Sequence, residues 1–175
     1  TFVATPEMTH LLQKSANGLF GAIKEQDDDA GVKQFSRLAD ALNIHLLIGS
    51  LAVRTGERRA ANRSVLFGPD GALLARYDKI HLFDVQVDDH TKSYLESKYS
   101  KAGSQPVSFD TPWGKVGLAV CYDLRFPELF RELVAQGCEI FIMPAAFTYA
   151  TGKLHWEALI RARAIENQCY FIASA

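Results

Sequence analysis

A thiol, an ammonium and a carboxylate each stand just beyond an apolar, β-prone run in this sequence. Cys121 follows residues 116–120, Lys79 follows residues 73–77, and Glu7 follows residues 2–5 with Pro6 between. In α/β sheets, ligands gather at the carboxyl ends of strands. A thiol is a good nucleophile only as the thiolate, a form that a base or the charge of a nearby lysine would favour. Taken singly, each has a plainer reading. A lone cysteine is more often core filler, a strand-end lysine is more often solvated, and Glu7 suits the start of a helix. A free thiol has a pKa of about 8.5, so Cys121 needs a base or a positive field to act. A phosphatase loop fits poorly, because Arg125 lies too close to the cysteine and the intervening residues hold no glycine. Cys138 and Cys169 open apolar runs and read as core residues.

The elements that must position these groups follow from periodicity. Residues 2–5 read as a short buried strand stopped by Pro6. Ala30–Leu42 carries Val32, Phe35, Leu38, Ala39 and Leu42 at helical spacing. Residues 45–53 are almost continuously apolar, which suits a strand covered on both faces. Residues 64–67 and 73–77 flank Gly68-Pro69-Asp70-Gly71, a hairpin signal. Residues 84–104 are polar and aperiodic, a long loop of the kind that often carries function. Residues 116–120 make a strand, and Pro127–Ala135 a helix with Pro127 in its first turn and Gly137 as its stop. Residues 140–143, 155–167 and 169–173 read as strand, helix and strand. The order predicts an α/β chain with a mixed sheet.

The chain has 175 residues, enough for one domain with a sizeable core. Its hydrophobic share of 48% and charged share of 22% are those of a globular protein. A net charge of −1, with the basic residues scattered, points away from a nucleic-acid or membrane-surface partner. The acidic run from Glu25 to Asp29 reads as a solvated loop. Three widely spaced cysteines without a CxxC pair fit a reducing, cytoplasmic setting and no structural metal. No apolar run approaches the roughly 20 residues of a membrane span. The sequence opens and closes inside apolar runs, without a starting Met or a signal peptide, so a fragment cut within two strands is expected.

The three groups sit in segments that resemble the nitrilase superfamily of carbon-nitrogen hydrolases. The likeness runs through Ala4-Thr5-Pro6-Glu7, through Tyr77-Asp78-Lys79-Ile80-His81-Leu82-Phe83-Asp84, and through Gly117-Leu118-Ala119-Val120-Cys121-Tyr122-Asp123-Leu124-Arg125-Phe126-Pro127-Glu128-Leu129. It continues in Pro144-Ala145-Ala146-Phe147, Thr151-Gly152, His155-Trp156-Glu157 and Arg161-Ala162-Arg163-Ala164-Ile165-Glu166-Asn167-Gln168. It covers essentially the whole chain. Within the superfamily the chain looks most like the branch that cleaves ω-amides, the deaminated glutathione amidases first and the ω-amidases next.

The resemblance implies a single carbon-nitrogen hydrolase domain over residues 1–175. Its fold would be a four-layer αββα sandwich lacking its first strand and helix and its last strands. It implies Glu7 as general base, Lys79 as oxyanion stabiliser and Cys121 as nucleophile, with the backbone N–H of Tyr122 as a second oxyanion donor. Glu96, in Leu95-Glu96-Ser97, matches a second family glutamate that positions the substrate amide or orients the lysine. Phe147 and Thr148 fall where the family lines its pocket. Arg125 is expected to pair with an acid beneath the turn, with a substrate carboxylate as the other candidate. His81, His155 and Trp156 are expected to pack rather than react, the last two at a helix start. The implied activity is hydrolysis of the side-chain amide of a small carboxylic acid through a cysteine thioester, without metal or organic cofactor, in a homodimer or larger homo-oligomer. The alternatives are an N-carbamoyl amino acid or nitrile hydrolase, an acyltransferase with the same triad, or a non-catalytic binding protein of the same fold.

Overall fold

The computed structural model describes residues 1–13, 15–87 and 92–175. Two four-stranded sheets carry the chain, each mixed. The first runs in the order β1 (Phe2–Ala4), β2 (His45–Gly56), β3 (Arg59–Phe67) and β4 (Leu73–Asp78). β1 is parallel to β2, and the remaining pairs are antiparallel. In the second sheet β10 (Tyr170–Ser174), β9 (Ile140–Pro144) and β8 (Gly114–Leu118) are parallel, and β7 (Ser108–Thr111) closes it as an antiparallel edge.

The sheets face one another across a shared core. Leu47, Leu66 and Tyr77 of the first sheet pack with Val116, Leu118, Phe141 and Met143 around the second. Helices cover the outer faces. α2 (Ala30–Leu42) lays Val32 and Ala39 on Leu46, Ile48, Val65 and Phe67. α3 (Pro127–Ala135) buries Phe130 and Leu133 over the second sheet, beside α4 (Tyr149–Asn167). The layer order is therefore α, β, β, α. The near-continuous apolar run of β2 follows from this, because that strand is covered on both faces.

α2 and α3 begin and end where the sequence places them. Asp29 caps α2 by accepting from Val32 N at 3.0 Å. Pro127 opens α3 at a position that needs no N–H, and Gly137 stops it with a φ of +89°. Three expectations change. Leu38 and Leu42 are exposed, because the stripe of α2 that meets the sheet is centred on Val32, Phe35 and Ala39. α4 starts at Tyr149 rather than at 155, so His155 and Trp156 lie inside it. Gly152 obscures that start in the sequence, yet its N–H bonds Thr148 O at 2.8 Å as an ordinary first turn does. The span 84–104, expected as a loop, holds a hairpin of β5 (Asp84–Val87) and β6 (Lys92–Leu95) and a short 3-10 turn at Glu96–Lys98. Positions 88–91 of that span lie outside the described residues. A short helix, α1 (Ala16–Ala22), and the edge strand β7 went unread in the sequence.

Candidate active site

Glu7, Lys79 and Cys121 arrive at one place from three strand ends. The Glu7 loop is held by a bulge in β2, where the register slips between Ile48 and Leu51. The extra residues there grip the loop. Ser50 Oγ accepts from Met8 N at 3.0 Å, and Ser50 O accepts from Thr9 N at 3.0 Å. Gly49 lies so close that a Cβ on it would fall 2.0 Å from Thr5 O. Lys79 follows β4 directly. Its N–H donates to Asn62 O at 2.9 Å, and its own carbonyl accepts from Gly103 N at 2.9 Å. Cys121 follows β8 by way of Ala119 and Val120 and opens a 3-10 turn, Cys121–Arg125. Its φ of +49° lies in the left-handed region, which few non-glycine residues occupy. Such strain persists only where surrounding bonds enforce it.

Asp123 supplies those bonds. It is fully buried. Its Oδ2 accepts from Val120 N at 2.8 Å and from the Tyr77 hydroxyl at 2.7 Å. Its Oδ1 lies 3.0 Å from His81 N and 2.7 Å from His81 Nδ1. The His81 ring stacks on Phe126 at 3.7 Å. Asp123 is thus the acid beneath the turn, and its partners are Tyr77 and His81, not Arg125 as expected. The Arg125 guanidinium instead meets His155 Nδ1 at 3.2 Å and lies near the rings of Phe147 (5.6 Å) and Tyr122 (5.9 Å). Arg125 lines the cavity, and both oxygens of Asp123 already have other partners.

The charges are dense and buried. Lys79 Nζ lies 3.0 Å from Glu7 Oε1 and 3.0 Å from Glu96 Oε2. Glu96 also accepts from Phe83 N at 2.7 Å, and Glu7 Oε2 accepts from Ala146 N at 3.0 Å, beyond the end of β9. Burial opposes the charge on Lys79, but Glu7, Glu96 and Cys121 outweigh it, and the lysine is held above its ordinary pKa. Burial pushes the Cys121 thiol well up, and the Glu7 charge pushes it further, against the pull of Lys79. Both effects favour the thiol over the thiolate. Its proton has a carboxylate waiting for it, and nucleophilic attack requires that transfer.

Around this cluster lies a cavity of about 630 Å³. Glu96, Tyr122, Phe147 and Thr148 all line it, as do Arg125 and Tyr99. The Tyr122 ring meets Phe83 at 5.1 Å, and the Phe147 ring meets Trp156 at 4.8 Å. Thr148 Oγ1 lies 2.7 Å from Thr151 Oγ1. Asn62 was missed by the sequence reading. The sequence places this strand at 64–67, with Asn62 outside it, whereas β3 begins at Arg59. A polar residue after two small ones, in Ala60-Ala61-Asn62, is the available signal.

A sequence model of the carbon-nitrogen hydrolase family matches residues 3–175. The chain is 45% identical over 176 residues to the deaminated glutathione amidase of Yersinia enterocolitica, covering 99% of this chain and 61% of that protein. It is 40% identical over 151 residues to the omega-amidase NIT2 of Homo sapiens, covering 86% of this chain and 54% of that protein. Its fold superposes on the NitFhit protein of C. elegans with a TM-score of 0.88 at 37% identity, covering 99% of this chain and 42% of that one. The chain thus spans about three fifths or less of the length of these relatives.

Proposed function

The chain belongs to the carbon-nitrogen hydrolase family, and from that premise we propose that it hydrolyses the side-chain amide of a small carboxylic acid through a thioester on Cys121. One observation carries the reading. A buried thiol, its carboxylate acceptor and a buried ammonium meet at the wall of one cavity.

Glu7 accepts the Cys121 proton as sulfur bonds to the amide carbon. The carbonyl oxygen becomes negative and is met by the Lys79 ammonium and the Tyr122 N–H, donors that need no rearrangement. The C–N bond then breaks, and the nitrogen leaves with the proton held by Glu7. A water gives a proton to Glu7 and attacks the thioester. The acid departs, and the proton returns to sulfur. Glu96 keeps Lys79 charged and oriented.

The names of the relatives support an acyl group with a second carboxylate, as in deaminated glutathione or an α-keto-acid ω-amide. Arg125, Phe147 and Thr148 border the cavity and offer a cation, an apolar wall and a hydroxyl for such a group. On the same reading residues 1–175 form one carbon-nitrogen hydrolase domain, and the protein works as a cytoplasmic homo-oligomer. α4 exposes Leu154 and Ile165, apolar residues that a second copy would cover. No helix among the described residues is long and apolar enough to cross a membrane.

The test is Cys121→Ala in the full chain, assayed for amine or ammonia release from ω-amides, N-carbamoyl amino acids and nitriles. The parent is expected to cleave ω-amides and the variant none. Turnover that survives the substitution would exclude the thioester route. In the parent, trapped acyl mass is expected on Cys121 and on neither Cys138 nor Cys169.

A further inference from the structure

Asn62 lies inside the charged cluster, and its role goes beyond filling space. We infer that Asn62 is a positioning residue: its single amide holds Glu7 and Glu96 at a fixed spacing around Lys79 and reserves the second oxygen of Glu7 for the thiol proton. The inference rests on the reading of Glu7 as the base.

The contacts form a closed ring. Asn62 Nδ2 donates to Glu7 Oε1 at 2.9 Å and to Glu96 Oε1 at 3.0 Å. Lys79 Nζ donates to Glu7 Oε1 at 3.0 Å and to Glu96 Oε2 at 3.0 Å. Two donors thus alternate with two carboxylates. A single ammonium cannot neutralise both acids, and the amide supplies the remaining donors without adding a titratable group. Asn62 and Lys79 are also tied through the backbone, Lys79 N to Asn62 O at 2.9 Å, so the two donors move as one.

Glu7 Oε1 therefore carries two donors. Among the described residues Oε2 accepts from the Ala146 N–H alone, at 3.0 Å, and is the oxygen left with room for a proton. The orientation of the amide is fixed by charge, because a flip would set its oxygen against two carboxylates. Asn62 Oδ1 is buried and finds no partner among the described residues. An apolar residue of the same size would avoid that unpaired acceptor. The feature such a residue would lack is the pair of N–H donors, and both are spent on the acids. The titratable groups around this ring are Glu7, Glu96, Lys79 and Cys121, with Arg125, Tyr94, Tyr99 and Tyr122 at the cavity wall.

Asn62→Leu in the full chain keeps the size and removes both donors, and Asn62→Ala serves if the leucine variant does not fold. Each is compared with the parent in kcat, in KM, and in the pH dependence of both kcat/KM and the alkylation of Cys121 by iodoacetamide. A carboxylate that loses a donor holds its proton more tightly, so the acidic limb of both profiles is expected to move to higher pH. With the ring opened, kcat is expected to fall about 10- to 100-fold, the scale of a small misplacement. KM should move by less than about threefold, as for a group that acts on the chemical step. A folded variant whose limbs and kcat match the parent overturns the inference. So does one that loses stability and KM together while the limbs stay in place. The alkylation profile needs no substrate, so it decides the role of Asn62 even if the parent cleaves none of the amides.

Discussion

Tyr77 donates its hydroxyl to Asp123 Oδ2 at 2.7 Å, and this bond spans the two sheets. Tyr77 is on β4, two residues before Lys79, and Asp123 is on the turn after β8, two residues past Cys121. The same tyrosine oxygen accepts from Ile80 N at 3.3 Å. One buried phenol thus fixes the distance between the strand that delivers the ammonium and the turn that delivers the thiol. Burial and the neighbouring Asp123 hold its proton on well beyond the ordinary phenol range.

Tyr77→Phe keeps the ring and removes the link. Asp123, fully buried, then lacks one of its donors. The expected loss is about 1–3 kcal/mol of stability, the cost of leaving a buried acceptor short. Amide turnover should fall as well, because the left-handed Cys121 loses part of its restraint. Urea unfolding with parallel measurement of kcat checks both. Parent-like values in each would mean that His81 and the Val120 N–H hold Asp123 unaided.

Glu7, Lys79 and Cys121 were legible in the sequence because each follows an apolar run whose period marks a strand, and the surrounding segments resembled a known family. Their meeting depends on long-range register, which no local pattern carries. Asn62 shows the gap. Its amide acts between residues 55 and 34 positions away, on Glu7 and Glu96. Arg125 shows another. Charge complementarity suggested an acid partner, but Asp123 spends its oxygens on Tyr77, His81 and the backbone. The hairpin of β5 and β6 is hidden by its length, since four residues a strand give the alternation of Val85 and Val87 too little room to stand out in a polar span. α2 and α3 match the sequence to the residue because their signals are local: helical spacing of apolar residues for α2, and for α3 a first-turn proline with a glycine after its end.

Gly49→Ala tests the bulge that seats Glu7. A methyl at this position would fall 2.0 Å from Thr5 O and 2.3 Å from Pro6 O, so the loop must move. Backbone on one side and a strand on the other leave no flexible side chain to yield. A stability loss of about 1–3 kcal/mol or more is expected, as for other overpacked sites. Since the displaced segment leads into Glu7, kcat should fall more than thermal stability alone would explain. Activity measured well below the unfolding temperature separates the two. Full activity there would show that Glu7 is placed by Lys79 and Asn62 without help from the bulge.

Cys121 gives the protein a pH dependence whose sign follows from its burial. Burial first, and the Glu7 charge second, raise the thiol in the folded chain above its ordinary value. A folded-state pKa raised above the unfolded one leaves stability intact below the unfolded value. Stability is then lost as pH climbs toward the folded value, because only the unfolded chain gains by ionising. For one proton the slope is about 1.4 kcal/mol per pH unit. Tyr77, Cys138 and Cys169 are shifted in the same direction and add to the parent's alkaline loss. Cys121→Ala removes one proton from that sum. Urea unfolding between about pH 8 and about pH 10 should therefore give a shallower decline for the alanine variant than for the parent, whatever their offset at neutral pH. Equal slopes would mean that the thiol ionises as readily in the folded chain as outside it.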